Sequence, residues 1–313
     1  FQKAVDHFNL YIQSEDDGDY SLSSFYWKWR ALQKLKSLES EKARKELIKA
    51  YPVSYYGLRA QIEKNEGKMQ LPSGQVTRSW KMKLSLNAEQ KKSWEAFQLL
   101  VKGNWFDESE KELDQLPEPK TPRAKVIWAE LRAKTLNYVD VLKLVGEAWG
   151  QDKSLINEST VDLVYPREFA DMIQPYSKRY NLPLELYLSL IRQESSFLYK
   201  AESLAGARGL MQIISSTARE VARDIRIKNF NPKSDLVKPA INIKIGTNYL
   251  YRLVRAFKGH IPLALAAYNA GIGNIRSWMK HREDLSAENM SGLDPDSELW
   301  LEELPWVGNF GLR

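Results

Sequence analysis

The chain has 313 residues, 43% hydrophobic and 27% charged, which supports one large globular domain or two ordinary ones and excludes a disordered or collagen-like polymer. It has no cysteine and only His7, His260 and His281, so thiol nucleophiles, disulfide frameworks and thiolate metal sites are excluded; chemistry must rest on carboxylates, hydroxyls, amides or backbone. A net charge of +6 favours anionic partners without choosing among nucleic acid, anionic lipid and acidic polymer.

No apolar run reaches the roughly 20 residues that span a bilayer. The first residue is Phe1 rather than methionine, as in a processed or trimmed polypeptide whose signal peptide has been removed. Apolar spacing of three and four residues recurs throughout without sustained strand alternation, which predicts a mostly α fold. Ala4, Phe8 and Ile12 form one stripe, and Phe25, Trp29, Leu32, Leu35 and Leu38 a second; a turn-rich segment from Glu66 to Gly74 then interrupts helix. Trp94, Phe97, Leu99 and Gly103 are matched 34 residues later by Trp128, Leu131, Ala133 and Asn137. Thirty-four is the period of tetratricopeptide-like helical hairpins, with a coincidence of core aromatics in an ordinary bundle as the alternative. Pro117, Pro119 and Pro122 separate the two copies. The polar passage from Gly150 to Thr160 is the expected boundary, leaving a helical scaffold over 1–160 and a second, glycine-richer unit over 161–313.

In that second unit, Asn181-Leu182-Pro183 reads as a helix start. Leu184, Tyr187, Leu188 and Ile191 follow at i, i+3, i+4 and i+7, and one more step on that face reaches Glu194 as the helix ends at Ser195-Ser196. A carboxylate there is partly buried, which raises its pKa toward that of a general acid near neutral pH; the competing reading is an ion pair with Arg192 or another cation. A small-residue loop over 202–209 follows. Thr217 and Glu220 have capping-box spacing for the next helix. Ile241, Ile245, Tyr249, Leu253 and Phe257 mark another helix, and Pro262 restarts helix up to Tyr268-Asn269, before Gly271 and Gly273. Trp278 reads as core.

Five ordered blocks carry a resemblance: Tyr165-Pro166, LIRQESSF at 190–197, AGARGLMQI at 205–213, NIKIGTNYL at 242–250 and AAYNAG at 266–271. Together they resemble the soluble lytic transglycosylases of bacterial cell walls, over about residues 165–305. YPVSYYG at 51–57 is similar to a segment of the helical superhelix that precedes the catalytic domain in that family. The resemblance implies a goose-type-lysozyme-like catalytic domain after a helical array, and peptidoglycan glycan strands as substrate. It implies a single catalytic residue, Glu194, acting as acid and then base on the bond between N-acetylmuramic acid and N-acetylglucosamine, giving 1,6-anhydromuramoyl ends without consuming water. It implies no cofactor and no metal. Ser203, Met211 and Gln212 match cleft-lining residues, and Tyr268 and Asn269 match the pair that contacts sugar and orients the acid. Tyr249 belongs both to a matched block and to an apolar stripe, and both readings stand. LEELPW at 301–306 resembles a family segment that selects Glu302 for the cleft, but the residues after Pro305 depart from the family pattern, as does the polar stretch from Ser286 to Glu298. The implied location is the periplasm or cell envelope, with other cell-wall proteins as partners of the helical region. The alternatives are a lysozyme-like muramidase that delivers water with the same Glu194, and a basic nucleic-acid-binding module. Interspersed Glu and Asp break up any sustained basic stripe, which counts against the second.

Overall fold

The computed structural model describes residues 1–14, 20–65 and 86–280, which form two compact units: 1–65 with 156–158, and 86–155 with 159–280. Among the described residues there is no strand, only two isolated bridges that join Arg208 to Glu202 and Ile213.

In the first unit, α1 (Gln2–Gln13), α2 (Ser21–Lys34), α3 (Ser40–Ala50) and α4 (Tyr55–Lys64) enclose a core of Val5, Tyr26, Trp29, Leu32, Leu47 and Ala60. Tyr26 stacks on Tyr56 at 4.3 Å between ring centroids and meets Trp29 edge-on at 5.6 Å, the two geometries that aromatic quadrupoles favour. The expected stripes need correction at their ends. In α1 the fully buried residue is Val5; Leu35 and Leu38 lie past the end of α2 and are exposed. The segment from Glu66 to Gly74 lies outside the described residues.

The second unit opens with two helical hairpins, α5 (Ala88–Lys102) with α6 (Phe106–Leu113), and α7 (Pro122–Ala133) with α8 (Tyr138–Gln151). Asn87 and Gln90 form a capping box on α5, and the Thr121 hydroxyl accepts from the Ala124 N–H at the start of α7, with Pro122 in the first turn. Three members of the 34-residue repeat share one core: Phe97 and Trp128 are buried with Leu113 and Leu116, and Trp94 and Leu131 pack against them. Leu99 breaks the pattern and is 69% exposed.

The chain continues through α9 (Glu158–Val164), α10 (Ala170–Tyr180), α11 (Leu184–Ser195), α12 (Ser215–Asp224), α13 (Pro232–Asp235), α14 (Pro239–Ala256), α15 (Ile261–Ala270) and α16 (Ile272–Lys280). Two expected caps are corrected. Asn181 is the left-handed C-cap of α10 (φ 51°), and Pro183 precedes α11 without a side-chain cap. Thr217 lies within the first turn of α12, whose N-cap is Ile214, so there is no capping box there. Gly271 ends α15 with φ 86°, while Gly273 sits inside α16. Trp278 packs partly buried against the main core. That core draws Tyr187 and Ile191 from α11, Ala218 and Val221 from α12, Ile243, Ile245 and Leu250 from α14, and Leu263 and Ala267 from α15. It also takes Ala129, Tyr138, Val141 and Val145 from the α7–α8 hairpin.

Candidate active site

Helix α11 buries Leu184, Tyr187, Leu188, Leu190 and Ile191, and Glu194 stands half-buried in its last turn. The helix stops because Ser196 and Phe197 are both left-handed, with φ 47° and 63°. Buried Phe197 anchors this turn, its ring 5.4 Å from that of Tyr138 in α8. The Ser195 hydroxyl donates to the Leu210 carbonyl at 2.8 Å and ties the helix end to the loop beyond.

Burial pushes the Glu194 carboxyl from an ordinary 4.5 to about 7, and no cation pulls it back. The negative end of the helix dipole, where this residue sits, disfavours the carboxylate in the same sense. Arg192, the competing ion-pair partner, is engaged elsewhere: its Nε donates to the Val164 carbonyl at 2.8 Å and its guanidinium lies 4.8 Å from the Tyr165 ring centroid. Glu194 is therefore an acid that holds its proton near neutrality.

Three elements converge on it. Tyr268 of α15 donates its hydroxyl to the Met211 carbonyl at 2.7 Å. Its phenol is raised well above its usual value, by burial first and then by the neighbouring charge of Glu194. Tyr249 of α14 tilts against Tyr268 at 5.2 Å, and its own phenol is raised by burial and by Glu220 of α12. Tyr249 thus serves the stripe and the site together. Asn269 is partly exposed at the end of α15, and no hydrogen bond occupies its amide among the described residues.

The loop over 201–213 supplies the remaining wall. The Ser203 hydroxyl accepts from the Ala207 N–H at 3.0 Å, and the Gln212 amide donates to the carbonyls of Ala201 and Gly209 at 3.2 and 2.9 Å. Met211 has no solvent exposure. It contributes through its carbonyl, while its side chain fills core against Gly246, where an added Cβ would lie 2.4 Å from the Met211 sulfur. Glu302 lies outside the described residues.

Sequence reasoning did not single out Asn242, the pin beneath this loop. Fully buried, it accepts the Met211 N–H at 2.8 Å and donates to the carbonyls of Arg208 and Leu236 at 2.9 and 2.8 Å. Its signal was an asparagine three residues before Ile245 and seven before Tyr249, on a face otherwise apolar, because a buried amide requires partners. Gly209 makes room for it with φ 76°; a Cβ there would lie 2.1 Å from the Leu236 carbonyl oxygen.

A sheet-free fold with one protonated glutamate at a helix end, framed by tyrosines from two later helices, defines a lysozyme-like domain. The fold matches the 70-kDa soluble lytic transglycosylase of Escherichia coli over 83% of this chain and 40% of that one, with a TM-score of 0.64 and 21% identity. It also matches an inactive glutamate-to-glutamine mutant of the lytic transglycosylase Slt from Pseudomonas aeruginosa over 92% of this chain and 45% of that one, with a TM-score of 0.65 and 23% identity. Residues 171–291 match the family profile described as Transglycosylase SLT domain, and through this segment the chain belongs to the soluble lytic transglycosylase family. The soluble lytic murein transglycosylase of Escherichia coli strain K12 is 34% identical over 115 residues, and the putative one of Haemophilus influenzae is 32% identical over 119. Those segments cover 37% and 38% of this chain but only 18% and 20% of those proteins.

Proposed function

We propose that the chain is a peptidoglycan lytic transglycosylase in which Glu194 acts alone as acid and then base. The observation that carries this reading is a half-buried carboxyl titrating near 7 with no ion-pair partner. Two-carboxylate glycosidases hold a second acid within about 5–9.5 Å of the first. Among the described residues no other carboxylate perturbs Glu194, which favours a nucleophile supplied by the substrate itself.

In the proposed reaction, protonated Glu194 donates its proton to the oxygen joining N-acetylmuramic acid to N-acetylglucosamine as the anomeric C–O bond breaks. The resulting carboxylate takes the proton of the muramic C6 hydroxyl while that oxygen bonds to the anomeric carbon. An anhydro ring forms, Glu194 is reprotonated and no water is consumed. The nucleophile is already part of the substrate, so little entropy remains to be lost in bringing it up. Tyr268, braced by the Met211 carbonyl, lies beside the acid and orients it; Asn269, Ser203 and Gln212 face the sugar. We assign this chemistry to residues 161–313, with the preceding helices as scaffold, and the envelope as its location. Among the described residues no helix is long and apolar enough to cross a membrane.

The test is digestion of purified sacculi followed by mass spectrometry of the soluble fragments. Anhydromuramoyl ends are expected, and reducing muramic ends would replace this reading with hydrolysis. Glu194→Gln retains shape without a transferable proton, so it should lose activity by at least about 1,000-fold while still binding glycan.

A further inference from the structure

Helix α12 has two unlike faces. Its acids, Glu220 and Asp224, are both held by Arg252 of α14, whose Nη1 lies 3.8 and 2.7 Å from them, and Arg252 is itself fixed by Nε donation to Asn248 at 2.7 Å. The basic residues keep no such company. Arg219, Arg223, Arg226 and Lys228 are exposed, and among the described residues none has an ion-pair partner. Together they rim a hollow of about 410 Å³ floored by Ala222, Ile227 and Phe230.

The local backbone explains why the four cations gather. Helix α12 closes with the Ile227 N–H on the Ala222 carbonyl at 2.8 Å and the Arg226 N–H on the Arg223 carbonyl at 3.1 Å, a Schellman closure. The closure puts Arg226 at the left-handed position (φ 57°), which glycine usually occupies, and turns the chain back beside Arg223. The hollow also borders the candidate active site, because Glu220 on the same helix is felt by Tyr249, which packs on Tyr268 beside Glu194.

Three guanidiniums and one ammonium over an apolar floor fit a ligand with carboxylates in two-pronged contact and small apolar side chains between them. We infer that this hollow is a second binding site, for the acidic peptide stems carried by the glycan strand under cleavage. The inference rests on the proposed activity. It adds that the enzyme grips the peptide as well as the sugar, away from the reacting bond.

The experiment pairs two substrates and two probes on the full chain. Intact glycan strands are compared with strands stripped of peptide by an amidase, and stem peptides with free carboxylates are compared with their methyl esters by calorimetry. Wild type should show a KM roughly tenfold lower on intact strands, and the free peptide should bind about tenfold more tightly than the ester, the size of one charge-assisted contact. Arg226→Gly should lose both preferences while melting at or above the wild-type temperature, since glycine relieves the left-handed strain. Arg219→Ala with Arg223→Ala should lose them as well. Equal KM values on both substrates, or equal binding of peptide and ester, would overturn the inference. So would inorganic phosphate or anionic lipid vesicles displacing the peptide at equal charge concentration. If neither substrate is cleaved, the proposed activity fails while the binding arm still decides the peptide site.

Discussion

At the scale of single residues, Glu194 couples stability to chemistry. Its folded pKa of about 7 lies above its ordinary 4.5. A group with a raised folded pKa contributes stability that is fully present below the unfolded value and is lost as pH rises through the folded one. For Glu194 the loss runs from about pH 4.5 to 7, and the shift corresponds to about 3 kcal/mol at its upper limit. Glu194→Gln removes the titration. The variant is therefore expected to match wild type in denaturant midpoint at pH 4 and to exceed it by up to about 3 kcal/mol at pH 8, even though it is inactive. Identical stabilities at pH 8 would show that the carboxyl is solvated. The same pKa places the alkaline limb of wild-type activity near 7, because the first step needs the proton in place. Glu194 was legible in the sequence because helical spacing alone carried the buried face of α11 to it. The direction of Arg192 was not, since a side chain next to a glutamate can as well turn to a carbonyl and an aromatic ring.

Among the elements, the decisive contact is α14 against the loop over 201–213. Gly246 lets Met211 lie on the helix, Asn242 holds the Met211 N–H, and the Met211 carbonyl receives Tyr268. Replacing Gly246 by alanine improves helix propensity by about 1 kcal/mol. The new Cβ nevertheless meets the Met211 Sδ at 2.4 Å and Cβ at 2.8 Å, and overpacking of a buried site costs about 1–3 kcal/mol. Gly246→Ala should thus be destabilising and should lower kcat by displacing the acceptor of Tyr268. A double-mutant cycle with Met211→Ala should show at least about 1 kcal/mol of coupling, because the smaller side chain relieves the clash. Strict additivity in urea melts would count against the contact. Sequence spacing predicted α11, α14 and α15 well, since each has a continuous apolar face. It misread the ends, because asparagine serves both as an N-cap and as a left-handed C-cap, and Asn181 does the latter. The role of Met211 was hidden for a different reason: a methionine in a loop looks the same whether its side chain or its carbonyl faces the site.

At the scale of the whole second unit, the core ignores the composition break near residue 160. Ala129, Tyr138, Val141 and Val145 belong to the same cluster as Tyr187, Ile191 and Phe197, and the ring of Tyr138 rests on that of Phe197, three residues past the candidate acid. Polarity and glycine frequency mark where loops gather, whereas a core boundary depends on which faces meet in space; local composition carries no record of that. An ion pair between Lys200 and Asp107 joins the chain after α11 to α6 but is exposed, so its contribution is small beside the buried aromatic contact. Starting the polypeptide at residue 161 would remove four fully covered apolar side chains from the core, each contributing about 1.5–3 kcal/mol for the larger ones, against a total stability of about 5–15 kcal/mol. A chain begun at residue 86 should consequently melt cooperatively and retain peptidoglycan cleavage. One begun at 161 should melt well below it, bind hydrophobic dye and lose most of its activity, because the turn that holds Glu194 would no longer have Tyr138 behind it. Equal melting temperatures for the two fragments would make α7 and α8 a passive neighbour of the catalytic helices. Activity lost from the shorter fragment and restored by adding the separate 86–160 segment would instead confirm that these helices complete the core.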